Sequence, residues 1–161
     1  MTIAAAFTLT GCVGYQLGSM LPADIRTVHV PTFVNKTDEP LVEVETTRAF
    51  IEQVQFDGSL KIADADVADS VIEVTVLEFD MSPIAYSRSR ETLAEEYRIT
   101  LTSHVIFRRR ATGEVLFESP NIQGETTFQV AGDLSSGKRF ALPGAADDLA
   151  RDILETIVEL W

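Results

Sequence analysis

The side chains that most often carry catalysis are scarce in this sequence. Cys12 is its only cysteine, and His29 and His104 are its only histidines. Neither histidine has a cysteine partner or the spacing of metal ligands. The acidic run at 63–69 lacks the glycine and the terminal glutamate that a calcium loop requires. The sequence therefore predicts no enzyme, no metal site and no cofactor.

One residue is nevertheless placed for covalent modification. Cys12 ends the tetrapeptide Leu-Thr-Gly-Cys, which follows a short apolar stretch at 3–9. This pattern resembles a lipobox, where a bacterial lipoprotein signal peptide is cut and the new N-terminal cysteine is acylated. The first basic residue is Arg26, although an export signal begins with Lys or Arg, so we expect this signal peptide to be truncated. The alternative is an incidental buried cysteine near the N-terminus.

Arginines form the second group with evident chemistry. Six of the 13 basic residues fall between positions 88 and 110, where only three glutamates oppose them. A guanidinium group can bind phosphate through two parallel hydrogen bonds, so these side chains are candidates for binding phosphate groups. The candidates are Arg88, Arg90, Arg98, Arg108, Arg109 and Arg110. The alternative is that they balance nearby carboxylates on a solvated surface.

The spacing of these arginines argues against a single site. Arg88 and Arg90 belong to a serine-rich loop, whereas the arginines at 108–110 lie at the opposite end of the next predicted strand. Arg98 and His104 share one face of that strand, with two threonines between them. This polar stripe is expected either to meet a partner or to face solvent.

Length and charge bound the remaining possibilities. The chain has 161 residues, which is the size of one domain, and 45% of them are hydrophobic, enough for a packed core. A formal net charge of −12 repels phosphates of nucleic acid, so no nucleic-acid partner is expected. We predict a signal peptide at 1–11, a lipidated tether at 12–24 and a single folded domain at 25–161.

The first half of the predicted domain reads as a strand followed by a helix. Residues 25–33 are rich in valine and threonine, which favours a strand. The following segment has the spacing of an amphipathic helix, with four apolar residues and one threonine on its stripe: Leu41, Val44, Thr47, Ile51 and Val54. We expect Asp38 or Glu39 to cap this helix and Gly58 to end it.

Alternating patterns dominate the middle of the chain. They predict three long strands, at 71–81, 96–109 and 114–130. The apolar phase of the first slips near Val76, which predicts a bulge. Residues 111–114 predict a hairpin turn, and we interpret Gly113 and Gly124 as turn glycines.

The last part of the sequence predicts a mobile loop and a helix. Residues 131–144 are rich in glycine and serine, and a helix with a broad apolar stripe is expected to begin near Pro143. The element order implies a parallel strand pair followed by antiparallel hairpins. The predicted fold is α+β, a two-layer sandwich with two helices packed on one face of a four-stranded mixed sheet. Its other sheet face must be polar or meet a partner.

Several segments, taken in order, resemble one known family. They are Gly-Cys-Val-Gly-Tyr-Gln-Leu at 11–17, Val-Pro-Thr-Phe-Val-Asn-Lys-Thr at 30–37, Ala-Asp-Ser-Val at 68–71, Tyr-Arg at 97–98 and Thr-Gly-Glu-Val-Leu at 112–116. Together they are similar to the lipopolysaccharide-assembly lipoprotein (LptE) family. The resemblance covers nearly the whole chain, although Val13 and the stretch 81–95 depart from the pattern.

The resemblance implies a function that composition alone does not give. It implies an α+β domain, held at the periplasmic face of the outer membrane by its lipid anchor, that plugs the β-barrel lipopolysaccharide translocon (LptD-like) and assists lipopolysaccharide assembly. Lipopolysaccharide itself is the second implied partner, and its phosphates are the expected ligands of the candidate arginines Arg88, Arg90, Arg98, Arg108, Arg109 and Arg110. The alternative is a pilot or assembly lipoprotein of another envelope secretion complex. A periplasmic hydrolase would need a triad or metal set that this sequence lacks.

Overall fold

The computed structural model describes residues 21–86, 94–130 and 132–159. Cys12, Arg88 and Arg90 lie outside these ranges, as do Leu160 and Trp161. The elements, in chain order, are β1 Thr27–His29, β2 Val34–Asn35, α1 Val42–Asp57, β3 Lys61–Ile62, β4 Ser70–Tyr86, β5 Ala94–Arg109, β6 Val115–Gln129 and α2 Leu134–Glu159.

The strands form one mixed sheet in the order β3-β1-β4-β5-β6, with β2 also paired to β4. β1 runs parallel to β3 and β4, whereas β5 runs antiparallel to both of its neighbours, β4 and β6. The expected α+β class, with two helices and a mixed sheet, is confirmed. The prediction of four strands is wrong, because the described sheet has six.

The two additional strands have local causes. Within the predicted strand at 25–33 only β1 forms, and β2 follows that segment at Val34; they pair with β4 at Ser70 and at Thr75 respectively. Pro31 lies between them and lacks the N–H group that continuous pairing needs. The short β3 adds to the outer side of β1.

The long antiparallel strands follow the alternation in the sequence. The register between β4 and β5 shifts between Val76 and Glu78, so the predicted bulge is confirmed. The turn between β5 and β6 is also confirmed, with Gly113 at φ 71 and its N–H donating to the carbonyl of Arg109. The left-handed conformation of Gly113 suits glycine because it has no Cβ.

Helix α2 packs against β5 and β6, and small residues allow the close approach. Gly124 lies inside β6, so the expectation that it is a turn glycine is wrong. A Cβ atom on Gly124 would lie 2.2 Å from the backbone nitrogen of Leu149 in α2. Likewise a Cβ on Gly137 would lie 2.7 Å from the ring of Phe128. The helix and the edge strand therefore touch backbone to backbone.

Helix α2 begins nine residues earlier than predicted, at Leu134 rather than near Pro143. Asp133 precedes it, and its carboxylate accepts a hydrogen bond from the N–H of Ser136 at 2.8 Å. The side-chain hydroxyl of Ser136, followed by this backbone N–H, lowers the pKa of Asp133. The predicted apolar stripe is confirmed among the described residues, since Leu149, Ala150, Ile153, Leu154 and Ile157 are buried.

Helix α1 differs from its predicted form in its start and its buried face. Its N-terminal boundary residue is Leu41, at φ 67, so neither Asp38 nor Glu39 caps it. Leu41 and Val44 of the predicted apolar stripe are exposed. The buried residues are Val42, Thr46, Ala49, Phe50 and Val54. This rotated face packs mainly against α2, with further contacts to β2 and β3.

Candidate interaction surface

The two faces of β5 have different chemistry. One face is buried in the core and carries Ile99, Leu101, Ser103, Val105 and Phe107. We call the opposite surface of β4, β5 and β6 the open face; on β5 it carries Arg98, Thr100, Thr102, His104 and Arg108, which are half-buried or exposed. The predicted polar stripe that joins Arg98 to His104 is therefore confirmed.

Carboxylates from neighbouring strands pair with both arginines and with the histidine of this stripe. The pairs are Arg98 Nη1 with Glu125 Oε2 at 3.5 Å, His104 Nε2 with Glu118 Oε1 at 3.0 Å, and Arg108 Nε with Glu73 Oε2 at 3.1 Å. Because all three pairs are solvated, each contributes about 1 kcal/mol or less to stability. A partner can therefore replace either member of a pair at small cost.

The remaining described arginines of the candidate set have structural partners. Arg109 pairs with Glu114 at 3.1 Å and also with Asp24. The side chain of Arg110 donates to the carbonyl of Ala68, and its backbone N–H donates to the carbonyl of Asp69 at 2.9 Å. These contacts join the β5–β6 turn to the segments that precede β1 and β4.

The structure does not bring the described arginines into one site. Arg98 and Arg108 lie on the same face of β5, but ten residues of strand separate them by roughly 33 Å. Arg88 and Arg90 cannot be placed in relation to them because both lie outside the described residues. Arg98 and Arg108 are thus two separate cationic points on a mostly polar sheet surface, which also carries Ile106.

Asp69 joins the start of β4 to β1, a role that its acidic surroundings in the sequence hid. Its carboxylate accepts hydrogen bonds from the Thr27 hydroxyl at 2.7 Å and from the backbone N–H groups of Thr27 and Arg26 at 3.0 and 3.1 Å. The bond from the Thr27 hydroxyl, followed by that from Arg26, lowers the pKa of Asp69. The Ala-Asp-Ser-Val segment at 68–71 was the available signal, and its role here is structural.

The Asn-Lys-Thr segment also organises a loop. The side-chain oxygen of Asn35 accepts hydrogen bonds from the N–H and the hydroxyl of Thr37, both at 2.8 Å. Its amide nitrogen donates to the Glu39 carbonyl at 2.8 Å and to the Glu43 carboxylate at 2.9 Å. Asn35 therefore connects β2 to the first turn of α1, and the motif positions the helix.

The described residues define an α+β domain whose most distinctive surface is a polar sheet face. Among them, no group of three or more His, Cys, Asp or Glu side chains could hold a metal ion. Their helices also include none with the length and apolar character needed to cross a bilayer.

Comparison with known families identifies the domain more closely. The family model described as lipopolysaccharide-assembly (LptE) matches residues 25–157. The chain therefore belongs to the lipopolysaccharide-assembly family. A search of curated protein sequences finds no match.

Three solved structures have a similar fold. A Xanthomonas campestris protein superposes with a TM-score of 0.57 at 9% identity, covering 85% of this chain and 88% of that one. A Caulobacter crescentus protein described as a lipoprotein gives 0.53 at 11% identity, with coverages of 80% and 89%. A minor lipoprotein of Acinetobacter baumannii gives 0.51 at 13% identity, with coverages of 84% and 94%. Identities this low establish a shared fold only.

Proposed function

We propose that this protein is an outer-membrane lipoprotein, acylated at Cys12, that binds and plugs the β-barrel lipopolysaccharide translocon and assists lipopolysaccharide assembly. Membership of the lipopolysaccharide-assembly family supports this function. The observation that carries the structural part is the open face, a broad sheet surface covered with charge pairs and hydroxyl groups.

The open face suits the interior of a barrel for a chemical reason. The lumen of an outer-membrane barrel is polar, because lipid-facing and lumen-facing residues alternate along every strand. A plug must therefore present polar groups that can exchange partners. The solvated pairs around His104 and Arg108 can do so, since each side chain can move to a partner on the barrel without leaving a buried charge unpaired.

Lipopolysaccharide phosphates would compete for the same cations. Arg98 and Arg108 each pair with a single exposed carboxylate, whereas Arg109 pairs with two carboxylates and Arg110 with the chain before β4, so these two hold the β5–β6 turn in place. A phosphate offers a charge-assisted, two-point contact that can displace a single carboxylate oxygen. The proposal therefore places lipopolysaccharide contacts first at Arg98 and Arg108, with Arg88 and Arg90 as further proposed contacts.

Blocking the open face tests the barrel contact. We expect Thr102→Trp to abolish recovery of the barrel with the tagged full-length protein in mild detergent, because an indole there stands between the sheet and its partner. Thr102 faces away from the core, so the variant should fold normally. Glu52→Trp, on exposed helix α1, is the matched control and should retain the barrel. Failure of the wild-type protein to recover any barrel would reject the proposal.

Binding of purified lipopolysaccharide tests the phosphate contact separately. Arg98→Gln and Arg108→Gln should each weaken binding by about tenfold or more, as expected for losing one charge-assisted contact. Arg48→Gln is the control, because Arg48 is equally exposed on α1 and away from the open face. A wild-type protein that binds the barrel of another secretion machine and no lipopolysaccharide would instead support the alternative class of pilot lipoprotein.

A further inference from the structure

Strand β6 is the last strand of the sheet, and part of its outer edge is unpaired. The N–H of Val130 donates to Glu95 in the β5 direction, whereas the N–H of Glu125 points away from β5 and donates to Asp148 Oδ2 at 2.9 Å. Alternation along the strand then directs the N–H groups of Gln123, Thr127 and Gln129 outward. In the described part of the chain these three amides have no hydrogen-bond partner.

Helix α2 runs beside this edge and forms a groove on each side of its contact with Gly124. One groove, of about 510 Å³, lies between residues 119–123 of β6 and the C-terminal half of α2. The other, of about 410 Å³, lies between Thr126–Gln129 and the N-terminal half of α2. An extended segment paired with the edge would pass along both grooves.

The two grooves differ in chemistry. Asp152, Glu155 and Glu159 line the first, and the residues that line it include no lysine or arginine. Burial raises the pKa of Asp152, and the charge of Asp148 adds to this effect. The second groove is lined by Phe128 and by Phe140, whose surface is 84% exposed. An occupant that fits both carries basic side chains at one end and apolar side chains at the other.

We propose that the β6 edge binds an extended segment of another protein, which adds a strand to the sheet and places basic side chains against Asp152, Glu155 and Glu159. Backbone pairing with an exposed edge supplies affinity, and the side-chain pockets supply selectivity. A second copy of this chain is a poor occupant, because residues 115–129 contain no lysine or arginine to meet these carboxylates. The edge adjoins the open face, since the side chain of Gln123 donates to the Thr102 hydroxyl at 3.2 Å, but its proposed contacts are outward amides and helix carboxylates.

Asp148 blocks part of the edge in the free protein. In the free protein its carboxylate occupies the outward N–H of Glu125 and also pairs with Arg151 at 2.9 Å. A docked strand supplies a carbonyl oxygen to the Glu125 N–H and releases Asp148 to a basic side chain of the occupant. The same carboxylate thus protects the edge from indiscriminate pairing and favours a basic partner.

Amide exchange of the full-length protein, measured by NMR with a short peptide of alternating valine and lysine, tests the proposal. The amides of Gln123, Thr127 and Gln129 should exchange quickly in the free protein and about tenfold or more slowly with the peptide. Gly124 and Thr126 donate to β5 and should be protected in both states. A peptide with glutamate in place of lysine is the control. Equal binding of that peptide, or no new protection, would overturn the proposal.

Variants distinguish the contribution of the edge amides to peptide binding from that of the carboxylates. Thr127→Pro removes one outward N–H and should weaken peptide binding by about tenfold, whereas Thr127→Val retains the N–H and should bind normally. Glu155→Gln should also weaken binding, and added salt should reduce the difference. Glu52→Trp, on the exposed surface of helix α1, should leave peptide binding unchanged. Protection of the edge amides that depends on protein concentration alone would instead indicate self-association and reject the proposal.

Discussion

Asp69 illustrates how a single side chain can set the acid stability of this domain. Its carboxylate accepts three hydrogen bonds from β1 and the residue before it, and these bonds favour its charged form. Because its folded-state pKa is lowered, its contribution is fully present above the ordinary aspartate value of about 3.9. The contribution is then lost as pH falls through the lower folded-state value.

We expect Asp69→Asn to lower the free energy of unfolding by about 1 to 2 kcal/mol at neutral pH, because hydrogen bonds to a neutral amide oxygen are weaker than those to a carboxylate. Urea denaturation at neutral pH and at progressively lower pH is the measurement. The difference from wild type should shrink below about pH 4. Asp66→Asn, on the exposed loop just before, is the control. A difference that stays constant down to low pH would contradict this account.

Gly124 tests the close contact between β6 and α2. We expect Gly124→Ala to destabilise the domain by about 1 to 3 kcal/mol, because its Cβ would meet the Leu149 backbone, which cannot rotate away. Thermal denaturation is the measurement. Gln123→Ala, on the adjacent exposed position, should change stability by less than about 0.5 kcal/mol. Equal stability of the two variants would show that α2 does not approach the strand this closely.

The sequence indicated the charge and the exposed side of a residue better than it indicated which other residue would pair with it. The charge of Arg98 and its side of the strand could be predicted by counting along the chain. Its pairing with Glu125 depends on the register between β5 and β6, which no local pattern specifies. The roles of Asp69 and Gly124 were missed for the same reason, since their partners lie 42 and 25 residues away.

Helix α1 begins next to a residue whose backbone conformation is unfavourable. Leu41 holds φ at 67, a region that costs a residue with a Cβ about 1 to 2 kcal/mol, and its side chain is exposed. Asparagine tolerates this conformation better, so we expect Leu41→Asn to raise the free energy of unfolding by up to about 1 kcal/mol. Urea denaturation measures it. Val44→Asn, inside the helix, should not stabilise; a gain there would indicate a different cause.

Elements with strong alternation could be predicted, and elements built by long-range packing could not. Local sequence patterns predict the bulge after Val76 and the turn at Gly113, and both are confirmed. The first nine residues of α2 were read as a mobile loop because glycine and serine favour loops. In the structure Gly137 lies against β6, where a Cβ atom would come 2.7 Å from the ring of Phe128. Tertiary contact, rather than propensity, makes that segment helical.

The whole molecule is expected to depend on Cys12 for its location and not for its fold. Two or three acyl chains hold a protein on a membrane, at about 0.8 kcal/mol per buried methylene. We therefore expect Cys12→Ser to leave the unfolding transition unchanged and to move the protein from the membrane to the soluble fraction. Fractionation and mass spectrometry of the mature N-terminus measure this. A native thiol that carries no acyl group would refute the anchoring proposal.

The fold class could be predicted from the order of elements, while the number of strands could not. Two-residue strands such as β2 and β3 carry no periodic signal, and only their parallel neighbours β1 and β4 give them their structure. The family resemblance, which rested on the order of short segments, is confirmed over 25–157. Two of those segments, around Asn35 and Asp69, turn out to support loops.

The length of the central hairpin sets the reach of the domain. β4 has 17 residues and β5 has 16, so each extends for roughly 55 Å. The apolar slab of a bilayer is only about 30 Å thick. If this hairpin stood upright in a channel through the bilayer, both of its ends would extend beyond the apolar slab. Each end would then lie in a different compartment.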